Sequence, residues 1–170
     1  LYKEETLDFF DILHRQQTPP QRDFGGVWQG HAIDRLKPFL LGPFVIDFAG
    51  DIFLSGPEAT EREFILTDPV LDELKYETIR LQRGFVMTSG SRRLGGKVRG
   101  PDALKDQKAA TGEVLKVVLF ASPEFSGARL DAWSTAIVAG GTKVLRHLES
   151  LEKYRGQWEY FYFEPNGTPH

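Results

Sequence analysis

The chain has 170 residues, 41% of them hydrophobic, and 21 Lys and Arg stand against 24 Asp and Glu for a net charge of -3. That suffices for one compact domain with a core but not for a second full one, and the charge balance leaves no broad basic surface to follow a phosphate backbone, which disfavours sequence-general nucleic-acid binding. The absence of cysteine excludes disulfides, thiolate catalysis and Cys-based zinc sites together, and no apolar run is long enough to cross a bilayer as a helix.

In chain order, Lys3 to Gln16 places Leu7, Phe10, Ile12 and Leu13 at near-helical spacing, and the tract TPPQ ends that helix, since proline lacks a donor and clashes with the preceding turn. The glycine loop DFGGVWQG follows, then a helix expected from His31 to about Leu40. GPFVIDFAGDIFLSG reads as a turn and two short strands broken at Gly50 and Asp51. EREFILTDPV and YETIRLQRGFVMTSG read as further strands, with DPVLDEL as one helical turn. Lys97 to Gly112 reads as polar loop and EVLKVVLFAS as a buried strand. RLDAWSTAIVAGG reads as a helix stopped by a glycine pair, TKVLRHLESLEKY as a second helix, and QWEYFYFEPNG as a closing strand dense in aromatics. No repeat, linker or low-complexity block interrupts this pattern, so residues 1–170 read as a single domain. The first residue is Leu1 and not methionine, which reads as a processed or excised piece and leaves a removed signal peptide open.

Three stretches carry residue types suited to chemistry. In DFGGVWQG, Gly25, Gly26 and Gly30 would let backbone approach a ligand closely, and amides at the following helix start favour an anion such as a phosphate. The stretch matches neither common phosphate-loop pattern, and the alternative is a tight turn with Trp28 buried in the core. In LDAWSTAIVAGG, Asp131 and Thr135 lie four apart, so on a helix a carboxylate and a hydroxyl project from one face, a hard-oxygen pair suited to magnesium or calcium. The alternative is that Asp131 caps the helix and Thr135 returns its hydroxyl to the preceding turn. In FVMTSGSRR, a strand runs into Thr88, Ser89 and Gly90, which read either as a turn presenting amides and hydroxyls to a ligand or as an ordinary strand-end turn.

Taken in order, these stretches resemble one family. DFGGVWQGHAIDR is similar to the Asp-Leu-Gly-Gly-Ile-Ala-Lys-Gly-Tyr-Ala-Ile-Asp segment of the ApbE family, the FAD:protein FMN transferases. FVIDFAGDIFLSG resembles that family's next strand with its Gly-Gly-Asp-Ile element, which brings in Asp51. VMTSGSRR resembles its Ala-Thr-Ser-Gly-Asp-Tyr-Arg turn, and LDAWSTAIVAGG its Ala-Asp-Ala-Leu-Ser-Thr-Ala-Leu helix. The likeness runs from Asp23 to about Leu151.

The resemblance implies an α+β, T-fold-type mixed sheet with flanking helices, shortened at the amino-terminal side. It implies an FAD site lined by Gly25, Gly26, Gln29, Gly30, Asp51, Thr88, Ser89 and Gly90, and a magnesium ion at the pyrophosphate held by Asp131, Thr135 and a main-chain carbonyl near Trp28. Family members cleave FAD and attach FMN through its phosphate to a threonine of an acceptor flavoprotein, releasing AMP, and some hydrolyse FAD to FMN and AMP instead. A periplasmic or envelope location goes with the family, and a cytoplasmic one stays open.

The departures are specific. The family's loop lysine is Gln29 here and the following tyrosine is His31. The family's His-Ile-Ile-Asp-Pro-Arg-Thr-Gly segment corresponds to KVRGPDALKDQKAATGEV, which contains no histidine. That histidine is the family's candidate proton acceptor, and His31 is a weak replacement, with a surface or capping histidine as the plainer reading. His14, His147 and His170 carry no site signal. A shortened front would leave the flavin ring incompletely enclosed unless another chain or a second copy of this one covers it. In the closing strand, Trp158, Tyr160 and Tyr162 share one face with Phe161 and Phe163 opposite, consistent with core filling from one face and an interface on the other. Two readings therefore stand: an active magnesium-dependent flavin transferase or FAD pyrophosphatase, and a catalytically silent relative that binds flavin or a partner protein.

Overall fold

Among the described residues one helix precedes eight strands, and two helices then lead into a ninth strand. The computed structural model describes residues 2, 4–6, 25–56, 61–67, 75–90, 92–94, 97–99, 112–166 and 168–170. The expected helix from Lys3 to Gln16 lies largely outside these residues, and the turn DPVLDEL, residues 100–111 and His14 lie wholly outside them.

Helix α1 (Gly25–Leu36) runs into a 3-10 turn (Lys37–Phe39). Strands β1 (Phe44–Phe48) and β2 (Asp51–Ser55) form a hairpin whose turn uses Ala49 and Gly50, both at positive φ (54° and 105°). Strands β3 (Arg62–Thr67) and β4 (Lys75–Leu81) pair with each other, β5 (Gly84–Gly90) returns to the main sheet, and β6 (Arg92–Leu94) and β7 (Lys97–Arg99) make a small ribbon. The chain ends with β8 (Lys116–Ala121), α2 (Gly127–Gly140), α3 (Thr142–Glu149) and β9 (Trp158–Phe163).

The main sheet has the order β1-β2-β5-β8-β9, and every described pairing is antiparallel. The α+β class stands, with an antiparallel sheet where the resemblance implies a mixed one. β5 and β8 are central and covered on both faces, which is why their sequences are runs of apolar residues rather than alternations. On one face lie the helices: Trp133, fully buried on α2, meets Phe125, Tyr154 and Trp158 edge-on with ring centroids 5.1–5.4 Å apart. On the other face, the β3–β4 hairpin lays Phe64, Leu66, Ile79 and Leu81 over Val86, Val118, Phe120 and Phe161. Trp158, Tyr160 and Tyr162 pack toward the helical core and Phe161 toward the hairpin, so both aromatic faces of β9 are used inside this chain.

α2 is buried around nearly its whole circumference, which fits its lack of charged residues beyond Arg129 and Asp131. α3 is amphipathic, burying Val144, Leu145 and Leu148. Glu5 fastens the front of the chain to this layer by accepting hydrogen bonds from Arg129 (3.1 Å), Trp133 Nε1 (3.0 Å), Tyr154 (2.9 Å) and Lys153 (3.1 Å).

Three expectations need correction. The first described helix starts at Gly25 and not at His31, because glycine's poor helix propensity is outweighed by what its missing side chain permits against α2. Thr88, Ser89 and Gly90 are not a turn but the end of β5, paired with Val118, Val117 and Lys116. The polar loop from Lys97 begins with a strand, since β7 pairs back on β6.

Candidate functional site

α1 crosses α2 at a glycine-on-glycine contact. A Cβ on Gly30 would collide with the carbonyl of Gly127, and one on Gly127 would lie 2.7 Å from the carbonyl of Gly30 and 2.8 Å from Phe85. One turn earlier, a Cβ on Gly26 would lie 2.5 Å from the hydroxyl of Thr135. Gly30 is thus required by the approach of the α2 backbone and Gly26 by the Thr135 side chain.

The two helices also cap each other. α1 departs from helical geometry at Gly26 (φ -81°, ψ 26°), so amides in the next turn draw acceptors from outside the helix. The Gly30 N–H donates to Asp131 Oδ2 on α2 at 3.0 Å. In return Asp34 of α1 accepts from the N–H groups of Gly127 (2.9 Å) and Ala128 (3.0 Å) and from the Ser126 hydroxyl (3.1 Å) at the start of α2. Each carboxylate sits near the positive end of the other helix. Asp131 therefore does not cap its own helix, since Ser126 does that by accepting from the Arg129 N–H. The hydroxyl that returns to the preceding turn is that of Ser134, donating to the Asp131 carbonyl at 2.8 Å.

β5 brings the third stretch to the same place. Ser89 Oγ lies 2.8 Å from Ser134 Oγ and 3.4 Å from Thr135 Oγ1. β2 brings the fourth. The β2–β5 ladder ends at Ile52 and Val86, and just beyond it the Thr88 N–H finds the Asp51 carboxylate (Oδ1, 2.9 Å) in place of a backbone acceptor. Asp51 and Asp131 are only 4% and 3% exposed. Burial pushes the Asp51 carboxyl up, Asp131's negative charge adds to this and that of Asp47 adds a little more, and the Thr88 hydrogen bond only partly offsets them, giving a pKa of about 7.

The remaining candidates lie at the edge. Trp28 is 65% exposed, which overturns the reading of it as core. Gln29 donates to the Phe48 carbonyl at 2.9 Å, tying α1 to the end of β1. Gly25 opens α1, Gly90 is the exposed end of β5, and His31 is exposed on α1. His147 contacts the Glu4 carbonyl (2.8 Å), and His170 stacks on Tyr162 with centroids 4.8 Å apart. Among the described residues no three His, Asp or Glu side chains gather as a metal-binding group, and no helix is long and apolar enough to cross a membrane.

Sequence reading missed Asp34, Ser134 and Ser126. A signal existed for Ser126, a capping residue type directly before the helix, but the α2 partners of Asp34 are more than 90 positions away, and among the described residues only Lys37, 3.4 Å from its Oδ1, is local.

Fold and site together define an α+β protein in which an antiparallel sheet carries two helices that bond each other's amides, with Asp131, Ser134, Thr135 and Ser89 gathered at their crossing and Asp51 bonded to the neighbouring stretch of β5. Solved structures that share this fold include the ApbE protein of Thermotoga maritima (TM-score 0.68, 22% identity over 89% of this chain and 51% of that one). The flavin transferase ApbE of Vibrio cholerae, solved as a histidine-to-glycine variant, gives a TM-score of 0.61 at 13% identity, covering 88% of this chain and 46% of that one. The apo flavinyl transferase ApbE of Pseudomonas stutzeri gives 0.58 at 19% identity, covering 89% and 47%. The chain thus spans about half the length of these neighbours. No protein-family model and no curated protein matches the sequence.

Proposed function

We propose that the helix crossing binds FAD, with magnesium at its diphosphate held by Asp131, Thr135 and the Trp28 carbonyl. The observation that carries this is the meeting of Asp131, Thr135, Gly26, Gly30 and Ser89 at one place, from stretches more than 40 residues apart. The donor set fits the ion: a carboxylate and hydroxyl oxygens are hard ligands, and magnesium commonly takes one or two carboxylates and completes its shell with phosphate oxygens and water. When bound, the ion supplies charge neutralisation at the phosphoryl oxygens. The rest falls to the chain. The α1 N-terminus would present its positive end to an anion, and the Ser89 hydroxyl, 3.4 Å from Thr135 Oγ1, and Gly90 at the end of β5 would line the same site. By this reading the substrate class is FAD, the reaction is hydrolysis to FMN and AMP or transfer of FMN to a threonine of an acceptor flavoprotein, and a partner chain or second copy encloses the ring.

A second reading, a silent flavin-binding subunit, is favoured by Gln29. It stands where the family has lysine and its amide is engaged with the Phe48 carbonyl. The stretch from Lys97 to Val114 also lacks a histidine to take the proton of an attacking hydroxyl. The transferase and the silent flavin-binding subunit both call for FAD binding, whereas a silent subunit that binds only a partner protein does not. Flavin fluorescence titrated with and without magnesium should show tight binding to the native chain and strong weakening in Asp131→Ala; equal affinity in the two would sink the assignment.

A further inference from the structure

We infer that Ser134 is a positioning residue of the proposed magnesium site, turning the Thr135 hydroxyl so that it offers lone pairs and not its proton; the inference rests on the magnesium reading above. The hydroxyls of Ser134, Ser89 and Thr135 stand in a row, with Ser134 Oγ 2.8 Å from Ser89 Oγ and Ser89 Oγ 3.4 Å from Thr135 Oγ1. Neither contact by itself says which oxygen donates. The direction comes from the buried end of the row, where Ser134, 0% exposed, lies 2.8 Å from the Asp131 carbonyl. A carbonyl oxygen can only accept and a serine hydroxyl has one proton, so Ser134 spends its proton there. Toward Ser89 it has lone pairs alone, and Ser89 must donate to it. Ser89 in turn has no proton left for Thr135. That last contact is long for a hydroxyl pair, but only Thr135 can donate across it, and the Thr135 hydroxyl has no other partner among the described residues.

The row therefore runs one way, from Thr135 to Ser89 to Ser134 to the Asp131 carbonyl. The lone pairs of Thr135 Oγ1 remain to accept, and a hydroxyl that donates becomes a stronger acceptor. That suits a cation, whereas a hydroxyl with its proton turned outward would suit a phosphate oxygen. The oxygen lies against the start of α1, since a Cβ on Gly26 would lie 2.5 Å from it, and Thr135 is only partly buried. Ser134→Ala removes the acceptor that holds the Ser89 proton. Ser89 then donates to Thr135, which turns the Thr135 proton outward against the cation.

The test measures, by flavin fluorescence on the full chain, how much magnesium raises FAD affinity in the native protein, Ser134→Ala and Asp131→Asn, with folding checked by circular dichroism. Affinity without magnesium is the internal reference, because a merely structural defect lowers both. In Ser134→Ala the magnesium gain should fall about tenfold, the scale of one misdirected polar contact, while metal-free affinity stays native-like. An undiminished gain there, with the gain lost in Asp131→Asn, overturns the role of Ser134 and leaves the magnesium reading intact. Equal falls with and without magnesium in Ser134→Ala also overturn that role. No magnesium gain in the native chain overturns both. Should Ser134→Ala not fold, neutron diffraction from crystals of the native protein in heavy water decides: the Ser89 deuterium must point at Ser134, and one aimed at Thr135 sinks the inference.

Discussion

The amide of Gly30 and the carboxylate of Asp131 meet at 3.0 Å across 101 positions of sequence, and this bond holds α1 in place against α2. It has a mirror in Asp34, which accepts from the first amides of α2. Asp131 thus has structural work as well as a proposed ligand role, and the two can be separated. Asp131→Ala leaves the buried Gly30 N–H without an acceptor and should lower stability by about 1–3 kcal/mol. Asp131→Asn keeps an acceptor and removes a buried charge, so it should unfold at a urea midpoint near the native one while losing magnesium-dependent flavin binding. A large urea shift in the asparagine variant would contradict this separation.

Gly30 and Gly127 allow no side chain between the helices. Gly30→Ala pushes a methyl group onto main-chain atoms, which cannot yield as a flexible side chain can, and should destabilise by about 2 kcal/mol or more. Thermal unfolding by circular dichroism measures it; a variant melting within a degree of the native chain would show that the crossing tolerates a Cβ.

Asp51 sets a pH dependence. Its carboxyl titrates at about 7 in the fold and near 3.8 when unfolded, so between those values the folded state binds the extra proton. Stability is therefore full below about pH 4, falls as pH rises, and is lost through pH 7, an effect of order 4 kcal/mol at most by linkage. With EDTA present, urea unfolding should become easier from pH 5 to pH 8 in the native chain, and Asp51→Asn should flatten the slope. An unchanged slope in the variant would assign the dependence elsewhere.

Turnover is expected to be slow or absent. The stretch replacing the family's histidine segment offers no imidazole, and Gln29 brings no positive charge to the diphosphate. Chromatography of FAD incubated with the protein and magnesium should show little FMN and AMP over hours. Brisk magnesium-dependent conversion would favour the active enzyme over the silent subunit.

Much of the architecture was legible because it rests on local signals. The hairpin break at Gly50 and Asp51, the apolar runs of β5 and β8, and the helix of Asp131 and Thr135 follow from turn chemistry and periodicity over a few residues. The start of α1 was not legible. Gly25 and Gly26 argue locally against helix, and it is the Thr135 side chain of α2, a hundred positions later, that leaves no room for a side chain at Gly26. The strand ending at Gly90 was misread for the same reason: Thr-Ser-Gly favours a turn until β8 offers it a ladder.

By itself the sequence determined which oxygens exist and which lie a helical turn apart, because spacing on one element is a local property. Only the tertiary structure decided that Asp131 serves Gly30, that Asp34 serves α2, and that Asp51 stands buried and holds the Thr88 amide. Those facts depend on how distant elements pack, and burial in low dielectric, which turns an ordinary aspartate into a demanding one, arises only when the sheet and helices close around it.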